Sequence, residues 1–317
     1  MSTAETVIQC ENLLKYYRLG FFLRKRQVLH GVSFEVRRGE IFGFLGPNGA
    51  GKTTTIKVLL GLARLDGGKF SLFGHPAGST AARRKVGFLA DNPYFYDGLS
   101  ALQTLHLAGR MLDLSGSQIA SRSEALLEKV GLDPTAWKMP IRRYSRGMLQ
   151  RLGLAQALIG EPELLICDEP MEGLDPIARR EVRDLLLELR AEGKTILICT
   201  HILPDVEFMC DRIAIILKGK VERLGTLSEL LTPGTKAVEV SVKGLPPPAM
   251  ERIRTQAEWV REEGGGLVYT RLRTEAEAQA LIKETQAAGG SVLAVTPIRE
   301  RLEDYFYKLV QEGAPRA

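Results

Sequence analysis

The sequence predicts an α/β fold for the larger part of the chain, followed by a small α+β domain. Up to about residue 235, short apolar runs of buried-strand type alternate with amphipathic helical stretches. This alternation is typical of a mixed sheet with helices packed on it. From residue 236 the order changes to strand, helix, two strands, helix and strand. We therefore expect two domains, at residues 1–235 and 236–317. Two domains suit a chain of 317 residues.

A glycine-rich loop between a strand and a helix organises the first domain. The apolar run Ile41–Leu45 precedes it, and Thr54–Leu62 follows with helical periodicity. The loop matches the pattern G-x-x-x-x-G-K-[ST] and consists of Gly46, Pro47, Asn48, Gly49, Ala50, Gly51, Lys52 and Thr53, with Thr54 next to it. Glycines let the backbone N–H groups of such a loop converge on phosphate oxygens at the positive end of the helix.

Two side chains of the loop predict its ligand. Lys52 is placed to reach the β and γ phosphates of a nucleoside triphosphate, and the Thr53 hydroxyl to bind Mg²⁺. A chance match in a glycine-rich chain is the alternative, and the strand and helix on either side argue against it. The sequence therefore predicts a nucleoside triphosphate site of the P-loop type.

The segment before the loop contains several aromatic residues. Strands are predicted at Val7–Glu11 and Val32–Val36. The aromatic residues between them are Tyr16, Tyr17, Phe21 and Phe22. Either they lie beneath a surface hairpin, or one ring stacks on a purine base. The residues alone leave both interpretations open.

Two carboxylates follow one of the predicted buried strands. Leu164–Cys167 ends in Asp168 and Glu169. Asp168 would complete the Mg²⁺ environment beside Thr53, and Glu169 is a natural general base for an attacking water. A solvated turn is the alternative, and the phosphate loop upstream argues against it.

Two further strand ends point to the same edge of the sheet. Val86–Ala90 leads to Asp91, which either approaches Mg²⁺ or only forms a turn, and this stretch alone favours the turn. Thr195–Cys199 leads to His201, a residue that can hydrogen-bond a γ-phosphate.

Residues 93–160 form a helical insert. Ser100 and Ser117 are predicted to cap its first two helices. Ser145 is predicted to cap a third helix, which runs to about Gly160. A serine, the flexible Gly147 and a helix N-terminus together make a second anion site. An ordinary capped helix is the alternative; it explains Ser145 but not the glycine, and this stretch alone favours it.

Composition limits the classes of function. The net charge of +5, from 43 basic and 38 acidic residues, is too small to argue nucleic-acid binding, but suits a partner at an anionic membrane. No apolar run approaches the ~18 residues of a membrane span. Met1–Glu11 has no signal-peptide pattern. The 4 cysteines form no C-x-x-C pair, so a reduced, cytosolic compartment fits best.

The motifs together resemble the ATP-binding subunit of an ABC transporter. The resemblance covers about Val7–Leu231 and rests on the order and spacing of five motifs. They are the phosphate loop, Tyr-Ser-Arg-Gly-Met before Gln-Arg, Ile-Cys-Asp-Glu-Pro, Gly-Leu-Asp-Pro and Thr-His. The implied fold is a P-loop NTPase of ABC type, with a mixed sheet and a helical subdomain.

The resemblance also implies an assembly and roles. Two copies would form a head-to-tail homodimer, with each ATP and its Mg²⁺ between the phosphate loop of one copy and Ser145–Gly147 of the other. The matching positions are Tyr17 for adenine stacking, Lys52 for phosphate, Thr53 and Asp168 for Mg²⁺, Glu169 for the base, His201 for the γ-phosphate switch and Asp175 for communication across the dimer.

Two departures from the family pattern stand out. Tyr144, Arg146 and Met148 replace residues of the usual Leu-Ser-Gly-Gly-Gln, while the phosphate-facing Ser145 and Gly147 are kept. Asp91 stands where the family usually has Gln. It is shorter and charged, which puts its Mg²⁺ contact in question.

The resemblance points to a transport branch. Ser-Arg-Gly-Met and the C-terminal Ser291–Leu309 resemble subunits that pair with a separate export-type membrane permease. The expected location is peripheral, on the cytoplasmic face of the membrane. The competing class is a soluble ABC ATPase acting on nucleic acid or ribosomes, and a single ATPase domain with a short insert and no strong basic stripe argues against it.

The C-terminal domain carries no catalytic constellation. Thr232–Thr235 is predicted as a linker, and the order β-α-β-β-α-β that follows predicts a ferredoxin-like module. A last helix is predicted at Pro297–Gln311, with proline at its start and Tyr305, Phe306 and Leu309 facing a core. Regulation, dimerisation and partner docking all stay open as its role.

Overall fold

The computed structural model describes residues 5–19, 24–231, 235–299 and 301–312. The chain divides into two compact units, Met1–Leu227 and Ser228–Ala317, whereas the sequence predicts a division after residue 235. Phe21 and Phe22 lie outside the described residues, as do residues 232–234 of the predicted linker.

The first unit combines strands with helices. In chain order its elements are β1 (Thr6–Leu19), β2 (Arg24–Arg37), β3 (Ile41–Leu45), α1 (Lys52–Leu59), β4 (Gly67–Leu72), β5 (His75–Pro76), α2 (Thr80–Arg83), β6 (Val86–Leu89), α3 (Ala101–Met111), α4 (Gly116–Lys129), α5 (Arg146–Leu158), β7 (Leu164–Asp168), α6 (Pro176–Ala191), β8 (Thr195–Thr200), α7 (Leu203–Met209), β9 (Arg212–Leu217) and β10 (Lys220–Gly225). Helix α8 (Leu227–Leu230) begins at the boundary between the units.

The central sheet has the strand order β10-β9-β3-β8-β7-β6. Its strands are parallel except for β10, which runs antiparallel to β9. Strands β3, β7, β8 and β9 are buried at every residue, which explains their unbroken apolar runs in the sequence. Because these strands are parallel, the carboxyl ends of β3, β6, β7 and β8 meet at one edge of the sheet.

A second sheet, antiparallel, has the order β2-β1-β4-β5. It shares one hydrophobic core with the central sheet and α1. Phe34 of β2 lies against Phe42 and Phe44 of β3, with ring centroids 5.7 and 5.0 Å apart. Strands β1 and β2 pair along most of their length, so the predicted hairpin is an extension of this sheet.

Helices α3, α4 and α5 form the helical subdomain. Ser100 caps α3 as predicted, and Ser145 caps α5, which ends at Leu158. The prediction of Ser117 as the cap of α4 is wrong. Ser115 is the cap, because it forms a reciprocal pair of hydrogen bonds with Gln118 three residues later, a partner that Ser117 lacks.

The four cysteines are buried thiols without disulfide partners. Burial raises the pKa of all four thiols. They are therefore unreactive residues of the core.

The second unit has the predicted element order. Its elements are β11 (Thr235–Lys243), α9 (Pro247–Gln256), β12 (Trp259–Glu263), β13 (Leu267–Leu272), α10 (Glu275–Ala287), β14 (Ser291–Arg299) and α11 (Leu302–Glu312). The strands form an antiparallel sheet in the order β12-β13-β11-β14. Val238, Val240 and Val242 of β11 share a core with Ile253 of α9 and Leu281 of α10.

The prediction of a helix beginning at Pro297 is wrong. Pro297 lies in β14, paired with Val238, and the helix begins at Leu302. Strand β14 is at the edge of its sheet, where a residue without an N–H group is tolerated. Leu309 of α11 is buried, and Tyr305 and Phe306 are half-buried.

Candidate functional site

The phosphate loop turns from the carboxyl end of β3 into α1. Gly51 precedes the helix with φ 114°, a left-handed conformation that favours glycine. At Gly46 a Cβ atom would lie 2.3 Å from the carbonyl oxygen of Ile216, so a side chain does not fit there. The loop thus presents backbone N–H groups at the N-terminus of α1, as an anion site requires.

Lys52 folds back over this loop. Its Nζ donates to the carbonyl oxygen of Gly46 at 2.6 Å and to that of Pro47 at 3.4 Å. The same Nζ lies 3.1 Å from Glu169 Oε1, and the Lys52 side chain is 5% exposed. A buried ammonium is therefore held where phosphate is predicted to bind.

Asp168, at the end of β7, is buried beside Thr53. Burial raises the pKa of Asp168, and the nearby carboxylates of Glu169 and Asp91 raise it further. A hydrogen bond with Thr53 acts in the opposite direction and lowers this pKa. Its Oδ1 atom has no hydrogen-bond partner among the described residues. A buried, unpartnered carboxylate oxygen next to a hydroxyl suits Mg²⁺, which prefers oxygen ligands.

Glu169 is 6% exposed and has a left-handed backbone, with φ 47°. Its N–H donates to the carbonyl oxygen of Cys199 at 2.8 Å. Oε1 lies 3.0 Å from His201 Nδ1, and Oε2 accepts a hydrogen bond from the His201 N–H at 3.3 Å. The left-handed backbone is a strained state for glutamate and places this carboxylate between Lys52 and His201.

Lys52, Thr53 and Glu169 border an open cleft of about 510 Å³, and His201 is not among the residues that line it. Of the predicted residues, those that line it are Pro47, Asn48, Gly49, Gly51, Lys52, Thr53, Thr54, Asp91 and Glu169. Gly46, Ala50 and Asp168 are buried around it. Asp91 is exposed at the end of β6, so the structure brings it to the same cleft as Thr53.

Three lining residues were missed from the sequence: Arg26 and Val28 of β2, and Glu172. The pairing of β2 with β1 determines the place of Arg26 and Val28. Glu172 stands shortly after the Asp-Glu-Pro motif, and this proximity was the available signal.

Tyr17 is not among the residues that line the cleft. It is half-buried, and the Lys15 Nζ lies 5.2 Å from the centre of its ring. Tyr17 pairs directly with Arg26, and such cross-strand pairs share a face of the sheet. Tyr17 therefore lies on the same face of the hairpin as Arg26, a residue of the cleft lining.

Ser145, Gly147 and Asp175 also lie outside the lining of this cleft. The Ser145 hydroxyl accepts from the N–H of Met148 at 3.3 Å. The Asp175 carboxylate caps α6, accepting from the N–H groups of Ile177 and Ala178. Within one chain, the predicted site residues therefore form two separate groups.

Gln150, a residue that the sequence motifs do not single out, joins these two groups. Its Nε2 donates to the buried carbonyl oxygen of Pro170 at 2.8 Å. This bond connects α5, which Ser145 caps, to the turn that follows Glu169.

A model of the ABC transporter family matches residues 29–172. The ABC transporter ATP-binding protein sll0415 of Synechocystis sp. is 39% identical over 308 residues, which cover 96% of this chain and 85% of that protein. The chain belongs to this family. The Nod factor export ATP-binding protein I of Ralstonia nicotianae is 38% identical over 276 residues, 82% of this chain and 85% of that protein.

A solved structure shows the same fold. The ATP-binding cassette MJ0796, a dimer in a post-hydrolysis state bound to ADP and Pi, matches with a TM-score of 0.64 and 26% identity over 69% of this chain and 98% of that one. The predicted ABC-type P-loop fold is confirmed, and the chain is an ATP-binding subunit of the ABC transporter family. Among the described residues, no helix has the length and apolarity to cross a membrane.

Proposed function

We propose that two copies of this cassette bind Mg²⁺ and ATP between them, hydrolyse the ATP and drive a separate export-type permease in the membrane. The observation that carries this proposal is the position of Glu169. Its carboxylate is buried between Lys52 and His201 at the rim of the phosphate-loop cleft. A carboxylate placed there can take a proton from a water aimed at the terminal phosphate.

The reaction follows from these positions. The water oxygen bonds to the γ-phosphorus as the bond from that phosphorus to the β–γ bridging oxygen breaks. ADP leaves with the bridging oxygen, and Glu169 accepts the proton of the water. Lys52 exchanges its bond to the Gly46 carbonyl for phosphate oxygens and stabilises their charge.

Thr53 and Asp168 are the residues that would hold Mg²⁺, with Asp91 facing the same cleft. When bound, Mg²⁺ supplies positive charge at the phosphate oxygens. His201 donates its backbone N–H to Glu169 and keeps the base in place.

The second copy would complete the site. Ser145 and Gly147 stand at the N-terminus of α5, a positive helix end, yet they do not line the cleft of their own chain. In a head-to-tail pair they would face the ATP of the partner, and Asp175 would lie at the same junction. The dimeric state of the related cassette MJ0796 supports this arrangement.

The proposals for the membrane partner and for the direction of transport are based on the names of relatives. The Ralstonia nicotianae relative is named for the export of Nod factor, and another, from Bacillus subtilis, for linearmycin resistance. We propose an integral permease as partner, with this chain peripheral on the cytoplasmic face of the membrane.

Replacing Glu169 by Gln tests the base. We expect steady-state phosphate release to fall by about a hundredfold or more, because the amide cannot accept the proton. ATP binding should be retained, and ATP with Mg²⁺ should trap a dimer that size-exclusion chromatography detects. Glu222→Gln on the exposed strand β10 serves as the control and should turn over normally. Normal phosphate release by Glu169→Gln would refute the assignment.

Purification of the tagged chain from its native membranes tests the partner. The expected result is that one integral membrane protein co-purifies in stoichiometric amount. When this protein is reconstituted with the chain, the rate of ATP hydrolysis should change on addition of the transported substrate. Recovery of nucleic acid or ribosomes in place of a membrane protein would contradict the proposal.

A further inference from the structure

Helices α6 and α7 both begin at loops that carry predicted site residues. Helix α6 starts at Pro176, directly after Asp175, and α7 starts at Leu203, shortly after His201. The first turn of each helix is therefore fixed to one of these loops. A contact between the two first turns would join the Asp175 loop to the His201 loop.

Such a contact exists between Arg179 and Asp205. Arg179 Nε lies 3.1 Å from Asp205 Oδ1 and 2.9 Å from Oδ2, and Arg179 Nη2 lies 2.7 Å from Oδ2. Arg179 lies one helical turn beyond Asp175, and its N–H donates to the Asp175 carbonyl oxygen at 2.9 Å. Asp205 lies one turn beyond His201.

One of the two side chains of this ion pair is buried, and the other is partly exposed. The Asp205 side chain is 3% exposed and that of Arg179 is 33% exposed. Removing a carboxylate from water is unfavourable unless its partner has good geometry, and the guanidinium here contacts both carboxylate oxygens. The Asp175 loop and the His201 loop are thus linked by a contact that does not slide or rotate easily.

A second contact lies one turn further along the same helices. The Arg183 guanidinium lies 4.1 Å from the centre of the Phe208 ring. In contrast, Arg180 and Asp184 of α6 form an exposed pair within the helix at 3.6 Å, with side chains 76% and 55% exposed. The face of α6 toward α7 therefore carries the linking residues.

We propose that Arg179 and Asp205 are positioning residues that couple the Asp175 loop to His201. A displacement of the Asp175 loop moves the first turn of α6, and the ion pair passes it to the first turn of α7. His201 follows, and with it Glu169, whose Oε1 lies 3.0 Å from His201 Nδ1. This inference rests on the proposed function, in which a second copy of the chain meets the Asp175 loop.

The pair should affect turnover and leave ATP binding unchanged, because Lys52 and Thr53 lie on other elements. The variant to measure is Arg179→Met combined with Asp205→Asn, which removes both charges and leaves no unpaired buried carboxylate. We expect kcat to fall about tenfold or more, because small misplacements of reacting groups are costly, while KM for ATP stays within about twofold. Arg180→Met on the exposed face of α6 is the control and should keep the wild-type kcat.

A double-mutant cycle with His201→Ala shows whether the effect passes through His201. Single-turnover rates with excess enzyme, normalised to the fraction that binds a fluorescent ATP analogue, give the four values. We expect the paired variant to lose much less rate in the His201→Ala background than in the wild type.

The outcomes separate the inference from the proposed function. If the Arg179→Met, Asp205→Asn variant keeps the wild-type kcat, the inference is overturned and the proposed function is not. The same holds if this variant loses an equal factor of rate in the wild-type and His201→Ala backgrounds, because a purely structural contact would give that result. Absence of phosphate release by the wild-type cassette overturns the proposed function and this inference with it.

Discussion

At the scale of single residues, the left-handed backbone of Glu169 places its carboxylate between Lys52 and His201. A run of apolar residues ending in Asp-Glu was enough to predict two carboxylates at the edge of the sheet. The left-handed φ of 47° was not predictable, because glutamate seldom adopts it and only the surrounding structure imposes it. The same holds for Lys52, whose bond to the Gly46 carbonyl depends on the folded loop.

Ser145 offers a test at this scale because it has two roles. It caps α5, and the proposed function places it against the terminal phosphate of the partner's ATP. We expect Ser145→Ala to lower the free energy of unfolding by about 1 kcal/mol through loss of the cap. We also expect kcat to fall about tenfold or more, through loss of the contact with phosphate. Urea denaturation and phosphate release measure the two effects.

Ser115→Ala is the matched control for this prediction. Ser115 caps α4 with the same hydrogen bond to the third residue of its helix and is exposed as Ser145 is, but the proposed function gives it no contact with ATP. It should lose about as much stability as Ser145→Ala and keep its kcat. Equal kcat values in the two variants would show that Ser145 is only a helix cap.

At the scale of elements, the close approach of β6 to α5 positions one residue of each of the two groups of predicted site residues. Strand β6 ends near Asp91, and α5 begins after Ser145. Gly87 of β6 lies against the helix, where a Cβ atom would be 2.3 Å from the carbonyl oxygen of Ala157 and 2.9 Å from Pro162 Cγ. We expect Gly87→Ala to lower the free energy of unfolding by about 1–3 kcal/mol, because backbone cannot yield as a flexible side chain can.

Gly98→Ala is the control at this scale. A Cβ atom at Gly98 would have no described heavy atom within 4 Å, and its φ is not in the left-handed region. Urea denaturation should therefore show little change for Gly98→Ala. A Gly87→Ala variant as stable as the wild type would mean that β6 and α5 have room to separate.

Elements were predictable where a single periodicity decides them, as for the buried strands β3, β7 and β8. Where two local rules compete, prediction failed. Pro297 suits either the start of a helix or an edge strand, and only its pairing with Val238 decides for the strand. Ser115 and Ser117 both suit a cap, and the reciprocal bond to Gln118 decides for Ser115. The residues Arg26 and Val28 reach the cleft through pairing between strands, which local patterns do not reveal.

At the scale of the whole ATP-binding unit, an ionic network joins the two sheets at the edge opposite the cleft. Arg38, which follows β2, lies 2.7 Å from a Glu5 carboxylate oxygen and 2.8 Å from one of Glu163. Lys85, before β6, lies 2.7 Å from the other oxygen of Glu163, which stands before β7. The Arg38 guanidinium thus connects the start of the antiparallel sheet to the amino end of β7, and Lys85 extends the network to the amino end of β6.

This network predicts a dependence of stability on pH. Hydrogen bonds from Lys85 and Arg38 lower the pKa of Glu163, and the hydrogen bond from Arg38 lowers that of Glu5. A folded-state pKa below the unfolded value means that the stabilisation is present above about pH 4.5 and is lost as pH falls through the folded-state pKa.

Calorimetry between about pH 6 and pH 3 should show the unfolding temperature of the wild type falling more steeply than that of Arg38→Gln, which lacks the shared partner. Arg180→Gln, whose exposed pair with Asp184 lies within one helix, should follow the wild-type curve. Parallel curves for the wild type and Arg38→Gln would mean that other carboxylates govern the acid unfolding of this unit.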